Sequence, residues 1–199
     1  MVKRSFRLVN MEQSNYDILK NLIEHCSNVI ESVYINKKGM IKIYLKNKNF
    51  NILFLYFLKY HSWLKFEQLM DIFGVDYLKN MNYLEVNYVL LSIQFYSRML
   101  ISLKVGEYKM VNSLINLYSS SGWLEREVWD MFGVFFKNNN DLRRILLDYG
   151  FRGYVLKKEY PIVGYLEIFY EESEKMLSFE PVNFSQSFRN FNILNPWQV

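Results

Sequence analysis

The sequence contains few of the residues from which metal and redox sites are built. Its 199 residues include a single cysteine, Cys26, and two histidines, His25 and His61. Zinc sites and iron–sulfur clusters need several such ligands at fixed spacings, and the chain has no CxxC or HxxxH pair. One cysteine also excludes an internal disulfide, which fits a reducing compartment. We therefore expect no metal site and no catalytic site within this chain.

Motifs for nucleotide binding and for membrane insertion are missing as well. There is no GxGxxG or Walker motif, so dinucleotide and nucleotide binding have no support. The longest apolar stretch, Val86 to Leu103, is interrupted by Asn87, Gln94 and Arg98, which argues against a membrane span. We expect a soluble or peripheral protein without a direct membrane span.

Charge is distributed unevenly along the chain. Residues 1–120 carry 15 Lys and Arg against 9 Asp and Glu, whereas residues 121–199 carry 9 against 11. A lysine-rich solvated surface explains this, and an acidic partner is the alternative. RNA binding through the N-terminal part would need Lys42, Lys46 and Lys48 to line one groove with Tyr44. No other strand repeats that basic and aromatic pattern.

Hydrophobic periodicity predicts an α+β fold, with a mostly antiparallel sheet, packed helices and then an extended C-terminal arm. Strands are predicted within residues 29–36, 40–46 and 65–78, followed by a buried hairpin of "VNYVLLSIQ" and "MLISLKVG". Helices are predicted at 14–27, 50–61 and 110–118, with serines at 14 and 119–121 as caps. We divide the chain into an α+β domain, 1–133, and an arm, 134–199, that contains a small hairpin at 165–180.

The stretch "GWLEREVWDMFGVFF", residues 122–136, places four charges among five large aromatic side chains. Helical spacing puts Leu124, Val128 and Met131 on a core-facing side. Arg126 and Asp130 are four residues apart and are expected to form a surface ion pair. Gly133 is expected to end the helix.

Glu125 is the residue that these helix rules leave unexplained, because it shares a flank with Trp129 and Phe132. A carboxylate among aromatic rings needs a partner, since burying it without one costs several kcal/mol. An arginine of this chain, Arg143 or Arg144, and an arginine of another protein are both open candidates. Asp141 is expected to cap a short helix that contains the two arginines and ends at Gly150.

Three ordered motifs resemble one known family. "WLEREVWDMFGVFF" is followed by "DLRRILLDYGFRG" and by "LKKEYPIVGY", with "SFEP" further on. Together they are similar to the signature block of the 30-kilodalton subunit of respiratory complex I, which is called subunit 9 where mitochondria encode it and which bacteria also possess. The resemblance covers most of the chain.

The chain departs from the family pattern at two places. Where the family has Gly-His-Pro, this sequence has Asn138, Asn139 and Asn140. Where the family has a second His-Pro pair, it has Tyr154 and Val155. Both histidines are lost, so the resemblance implies no role that needs them.

The resemblance implies a non-catalytic scaffold in the quinone-reducing module of the peripheral arm of the proton-pumping NADH:ubiquinone oxidoreductase. It implies that FMN, iron–sulfur clusters and ubiquinone belong to the holoenzyme rather than to this chain. The implied partners are other complex I subunits, especially the large hydrogenase-like quinone-site subunit and neighbouring iron–sulfur subunits, with no nucleic acid. The implied location is the matrix side of the mitochondrial inner membrane, or the cytoplasmic side of a bacterial plasma membrane.

The family motifs nominate a set of residues for subunit-interface or domain-locking roles. They are Glu125, Arg126, Glu127, Trp129, Asp130, Phe132, Gly133, Asp141, Arg143, Arg144, Lys157, Lys158, Pro161, Gly164 and Pro181.

Overall fold

The fold is described from a computed structural model that defines most of the chain. The described residues are 20, 22–36, 40–46, 51–77, 83–106, 109–187, 189, 191 and 197. They form two compact units, residues 1–159 and residues 160–199, which are treated separately below. Residues 134–159 thus belong to the first unit, and our division of the chain at residue 133 stays a prediction.

A five-stranded sheet is the centre of the first unit. Its strands are β1 (Ile30–Ile35), β2 (Ile41–Leu45), β3 (Gln68–Asp76), β4 (Tyr83–Ser92) and β5 (Ser97–Gly106). The order across the sheet is β1-β2-β5-β4-β3. The strands predicted at 29–36 and 40–46 form the antiparallel pair β1–β2, and the predicted β4–β5 hairpin is confirmed.

Three of the four strand pairs in this sheet are antiparallel and one pair, β2 with β5, runs parallel, so the sheet is mixed. These two strands are not consecutive in the sequence, and the helix after β2 lets the chain approach β5 in the same direction. Alternation along each strand reveals its faces but carries no information about the direction of a distant neighbour. The pairing could therefore not be predicted from periodicity.

Helices lie against one face of this sheet. The first, α1, has residues 20 and 22–26 as its described part, and Leu22 is fully buried there. The start of this helix at Ser14 lies outside the described residues. The second, α2 (Asn51–Tyr60), and the third, α3 (Ser121–Phe132), contribute Phe54, Leu58 and Val128 to the same core.

The segment before α3 does not form the predicted helix. Residues 111 and 112 form a short strand, β6 (Val111–Asn112), which pairs in parallel with β7 (Phe136–Lys137). Flanking hydrogen bonds join the N–H groups of Val111 and Ser113 to the carbonyls of Phe135 and Lys137, at 2.9 Å each. Pairing with a distant strand provides hydrogen-bond partners for backbone groups that a local helix would have paired within itself.

The ends of α3 differ in how they are capped. Ser120 occupies the N-cap position but makes no side-chain capping hydrogen bond, so the expected serine cap is not formed. Gly133 ends the helix as predicted, in the left-handed conformation at φ 77°, with its N–H donating to Trp129 O. A left-handed C-terminal position favours glycine because a Cβ is disfavoured there.

The second unit contains a hairpin of β8 (Leu166–Glu171) and β9 (Met176–Pro181), as predicted around "EESEK". A turn precedes it, in which the Gly164 N–H donates to Pro161 O at 3.0 Å.

No helix in the described part of the chain is long and apolar enough to span a membrane.

Gly74 of β3 positions α3 on the sheet. A Cβ at this position would lie 2.6 Å from a carbon of the Phe132 ring, closer than side chains approach. The last turn of α3 therefore rests on β3 through an aromatic ring placed on a glycine. This contact explains why position 132, on the flank of the helix that also carries Glu125, holds an aromatic residue.

We expect Gly74→Ala to lower the free energy of unfolding by about 1 to 3 kcal/mol, because the added methyl group overpacks the Phe132 contact. Urea unfolding of the purified chain measures the change. Gly106→Ala is the matched control in a strand, since its Cβ would meet only the flexible Lys109 side chain, at 3.3 Å. Equal effects of the two substitutions would contradict the proposed contact.

Candidate functional site

Three of the four charged residues of α3 are buried. Glu125 and Asp130 are fully buried and Arg126 is 8% exposed, whereas Glu127 is exposed. The predicted surface ion pair between Arg126 and Asp130 is therefore wrong. Each buried charge instead binds a different part of the chain, because a buried charge is stable only where hydrogen bonds replace water.

Glu125 binds neutral donors rather than an arginine. Its Oε1 accepts from the N–H of Leu114 at 2.7 Å, and its Oε2 accepts from Ser113 Oγ at 2.6 Å and from Asn139 Nδ2 at 2.9 Å. Of the two open candidates, the pair with Arg143 or Arg144 of this chain is not formed, and the donors that Glu125 does bind are neutral. The carboxylate joins the segment before α3 to the segment after it.

Burial raises the pKa of Glu125, and the hydrogen bonds from Leu114, Ser113 and Asn139 only partly oppose that shift. The hydroxyl of Tyr88 lies in the same interior. Its pKa is raised by burial and further by the charge of Glu125. Burial thus favours the uncharged form of both side chains.

Arg126 holds backbone carbonyls of the segment that follows the helix. Its Nε donates to Arg143 O at 3.2 Å and its Nη2 donates to Arg144 O at 3.3 Å. The ring of Trp123 lies 4.9 Å from the guanidinium carbon, and Asp141 Oδ2 lies 3.9 Å from Nη1. This arginine therefore fixes the path of the chain at residues 143 and 144.

Asp130 makes the densest set of hydrogen bonds. Its Oδ1 accepts from Arg144 Nη1 at 2.8 Å. Its Oδ2 accepts from the N–H groups of Ile145, Leu146 and Leu147 at 3.2, 2.8 and 3.0 Å. Burial alone would raise the pKa of Asp130, but these hydrogen bonds outweigh it and the pKa is lowered.

The carboxylate of Asp130 has the capping role that the sequence predicted for Asp141. Residues 138–150, all of them described, form no helix, so the prediction of a short helix capped by Asp141 is wrong. Three consecutive N–H groups converge on Asp130 instead, as they would on a helix cap. Asp141 is exposed and lies 3.2 Å from Arg143 Nε. We call residues 138–158 the clasped loop.

The guanidinium of Arg144 is enclosed on several sides. Its Nη2 donates to Gly153 O at 2.9 Å, and its central carbon lies 5.7 Å and 5.4 Å from the rings of Phe151 and Tyr154. The Arg144 side chain thus connects Asp130 of α3 with residues 151–154 of the clasped loop.

Tyr154 is the aromatic centre of the contact between α3 and the clasped loop. Its ring lies 5.6 Å from that of Trp129 in an edge arrangement. A Cβ at Gly133 would lie 2.6 Å from the same ring, so glycine is required there for space as well as for its φ angle. Trp129 also packs edge-on against Phe135, at 6.0 Å.

Both positions at which the sequence departs from the family's histidines contact α3. Asn139 stands in the first position and donates to Glu125, and Tyr154 stands in the second and packs on Trp129 and Gly133. Asn138, in the place of the family glycine, adopts φ 67°, which asparagine tolerates better than most residues. Asn139 and Tyr154 therefore both contact α3 or its C-terminal cap.

The remaining nominated residues fall into two groups. Lys157 is half-buried with its Nζ 5.7 Å from the Tyr154 ring, and the Lys158 N–H donates to Asp76 Oδ2 at 3.0 Å. Pro161, Gly164 and Pro181 lie in the second unit, where the first two form the turn before the hairpin. Within the first unit, the structure brings the α3 residues and the clasped loop together.

Sequence reasoning missed the partners that lie outside the motifs. Ser113 and Leu114 bind Glu125, and Asp76 binds the end of the clasped loop. Two of these contacts use a backbone N–H, which every residue except proline carries, so residue type gives no signal for them.

The lysines considered for RNA binding are engaged with neighbouring groups. Lys42 lies 2.8 Å from Glu85 and 4.6 Å from the Tyr44 ring, and Lys46 donates to Ser27 O at 3.2 Å. Lys48 lies outside the described residues. Within the part of the chain that is described, no three His, Cys, Asp or Glu side chains are grouped so as to hold a metal ion.

Comparison with known proteins gives a consistent family. The family model for the respiratory-chain NADH dehydrogenase 30 Kd subunit matches residues 44–166. A Beta trigyna protein named NADH dehydrogenase [ubiquinone] iron-sulfur protein 3 is 45% identical over 76% of this chain and 79% of its own length. NADH-ubiquinone oxidoreductase subunit 9 of Reclinomonas americana is 40% identical over 83% of this chain and 82% of its own.

Two solved structures share the fold. A trypsin-resistant fragment, 1-134, of Nqo5 is 25% identical with a TM-score of 0.54, over 63% of this chain and 98% of the fragment. An archaeal respiratory membrane complex, the membrane-bound sulfane sulfur reductase, has a chain that is 19% identical with a TM-score of 0.66, over 76% of this chain and 88% of that one. The latter supports the fold alone. Neither the relatives nor these structures support RNA binding.

The name of several relatives refers to iron–sulfur chemistry, and the residues of this chain do not fit a cluster. Iron–sulfur clusters are usually held by four cysteine thiolates, or by two cysteines with two histidines. Cys26 is the single cysteine in the sequence, and it lies on α1. Burial raises the pKa of its thiol, which disfavours the thiolate that ligation requires.

We expect Asp130→Asn to lower the free energy of unfolding by about 3 kcal/mol. The reason is that asparagine has one acceptor oxygen, whereas the two carboxylate oxygens of Asp130 accept hydrogen bonds from four donors. The lowered pKa of Asp130 means that its stabilisation is fully present above about pH 4 and is lost as the pH falls through the folded-state pKa. Urea unfolding at several pH values measures both effects. The control is Asp141→Asn, whose exposed ion pairs should contribute less than about 1 kcal/mol. If the destabilisation caused by Asp130→Asn became larger below pH 4, the lowered pKa of Asp130 would be contradicted.

The raised pKa of Glu125 predicts the opposite pH trend. The folded chain retains this proton at pH values where the unfolded chain, with a pKa of about 4.3, has lost it. The stability of the wild type relative to Glu125→Gln should therefore decrease as the pH rises through the folded-state pKa, because glutamine imitates the protonated acid. Glu127→Gln, exposed on the same helix, should show no such trend. A constant difference between wild type and Glu125→Gln at all pH values would refute the assignment.

Proposed function

Because the chain belongs to the family of the 30-kilodalton subunit of the respiratory-chain NADH dehydrogenase, complex I, we propose that it is a non-catalytic scaffold of that enzyme's quinone-reducing module. In this role it supports electron transfer from NADH to ubiquinone without binding FMN, an iron–sulfur cluster or quinone itself. It lies in the peripheral arm, on the matrix side of the mitochondrial inner membrane. Its neighbours are the large hydrogenase-like subunit and the iron–sulfur subunits.

One observation carries the scaffold role: the charged residues of the family motif bind within the chain. Glu125, Arg126 and Asp130 direct their polar atoms to Ser113, to Asn139 and to the backbone and side chains of residues 143–147. A general acid or base must reach a substrate. These three residues instead hold the clasped loop in one conformation.

The exposed side chains of the clasped loop are its contact residues in this proposal. Arg143 has a 70% exposed side chain, and Leu146 and Tyr149 are also exposed. Arg126 binds the backbone of Arg143 and Asp130 binds the backbone of Leu146, so these two residues lose little conformational entropy when a partner binds. The hairpin of the second unit, with exposed residues such as Ile168 and Phe179, is the part of the C-terminal arm that wraps a partner.

Separation of the native enzyme tests the proposal directly. On a native gel of solubilised membranes, the chain should co-migrate with NADH dehydrogenase activity. The purified chain should not oxidise NADH or reduce a quinone. Absence from the active band, or robust activity of the chain alone, would overturn the proposal.

We predict that Arg144→Ala reduces the amount of assembled enzyme severalfold, because it leaves the buried Asp130 carboxylate without its cation. The activity per assembled enzyme should stay at the wild-type value. Quantitative native gels combined with NADH:quinone assays separate the two quantities. Arg98→Ala, which removes an exposed arginine of β5, is the matched control. Normal assembly with slow turnover would point to a role in the reaction instead.

A further inference from the structure

Helix α2 carries apolar side chains on two opposite sides. Phe54, Leu55 and Leu58 are buried in the core of the first unit. A second set points outward and is between 54% and 68% exposed: Leu53, Tyr56, Tyr60 and, in the turn after the helix, Trp63. We call these four residues the α2 stripe.

Three members of the α2 stripe lie on one side of the helix. Leu53, Tyr56 and Tyr60 are spaced three and four residues apart, which places their side chains within an arc of about 60°, and Trp63 follows in the turn after the helix. The rings of Tyr56 and Tyr60 are in contact, with their centroids 4.6 Å apart. The stripe is therefore a band and not a scatter of separate exposed residues.

A helix with apolar residues on both sides is typical of one that is covered on both sides. A contiguous exposed apolar surface marks an interaction site more often than isolated exposed residues do. Tyrosine and tryptophan, three of the four members, are enriched at protein interfaces, where the ring is buried and the polar atom remains accessible.

Two lysines adjoin members of the stripe in the sequence: Lys59 precedes Tyr60, and Lys65 follows Trp63 by two residues. Lys59 and Lys65 flank the stripe, and the Lys59 ammonium lies 5.5 Å from the Tyr60 ring and 4.8 Å from the Tyr118 ring while donating to Leu117 O. Lys59 is thus held at the rim of the stripe, where it favours a partner carboxylate.

We propose that the α2 stripe docks into an apolar groove of another subunit of the respiratory enzyme, with carboxylates at the groove's rim facing Lys59 and Lys65. This inference rests on the proposed function, since it needs a partner subunit. It assigns an interface to a helix that lies outside the family's signature block. Tyr56 and Tyr60 are its central contacts.

A protein groove fits these features better than a lipid surface. Recognition of anionic lipid headgroups is typical of clusters of about four to eight Lys or Arg residues. The stripe has two flanking cations, of which Lys59 is already bound within the chain. Two cations suit a groove with a few carboxylates at its rim.

Hydroxyl-radical footprinting of the full chain, alone and within the assembled enzyme, tests the proposal. We expect oxidation of Tyr56, Tyr60 and Trp63 to fall about tenfold on assembly, a change that corresponds to a nearly complete loss of access. Tyr96, which is 93% exposed in the turn between β4 and β5, serves as an internal reference for general shielding. Equal oxidation of the stripe in both states would overturn the proposal.

The double variant Tyr56→Ser, Tyr60→Ser provides the second measurement. The purified variant should unfold in urea as the wild type does, because both side chains are exposed, and its incorporation into the enzyme should fall about tenfold. Tyr96→Ser should incorporate normally. Normal incorporation of the double variant would overturn the proposal, and so would stripe-dependent binding to phosphatidylserine vesicles or stripe-dependent self-association in sedimentation with incorporation unchanged.

The outcomes separate this inference from the one it rests on. If the wild-type chain is absent from the enzyme, both the scaffold role and the docking surface fail. If the chain is present and the stripe stays open to oxidation, the docking surface alone fails.

Discussion

The Asp130 carboxylate is the group on which the conformation of the clasped loop depends. It accepts from Arg144 and from three consecutive N–H groups, and it is fully buried at the end of a helix. Removing one of these donors leaves the buried charge less well compensated, and removing the charge leaves several donors without an acceptor. This part of the chain, which is neither helix nor strand, is thereby held by three hydrogen bonds from its backbone N–H groups.

Helix α3 combines two tasks because its faces have different partners. Val128 packs in the core, and Phe132 rests on Gly74 of the sheet. Glu125 and Asp130 bind the segments on either side of the helix. The helix is therefore placed by apolar contacts and uses its buried charges to place the loop that follows.

The departures from the family pattern can be understood from these contacts. Asn139 supplies a donor to Glu125, and Tyr154 fills the space next to Gly133 and Trp129. An amide and a phenol ring are chemically unlike imidazole, yet each meets the helix at the corresponding position. At these two positions the chain makes one hydrogen bond to Glu125 and a ring contact with Trp129.

Sequence patterns were sufficient for some parts of this structure and not for others. The two hairpins of the sheet and the glycine at the end of α3 follow from alternation and local backbone preference. The burial of Arg126 and Asp130 could not be predicted, because helical spacing treats charged residues as solvent-facing. The partners of Glu125 come from segments 11 to 14 residues away, and a spacing rule for one helix does not reach them.

Amide hydrogen exchange at Ile145, Leu146 and Leu147 tests most directly whether α3 holds the clasped loop. In the full chain we expect these three N–H groups to be strongly protected, although they lie outside any helix or strand, because each donates to the buried Asp130 carboxylate. The N–H of Tyr149, which donates to the exposed side chain of Asp148, should exchange much faster. Exchange of all four at the same rapid rate would contradict the account.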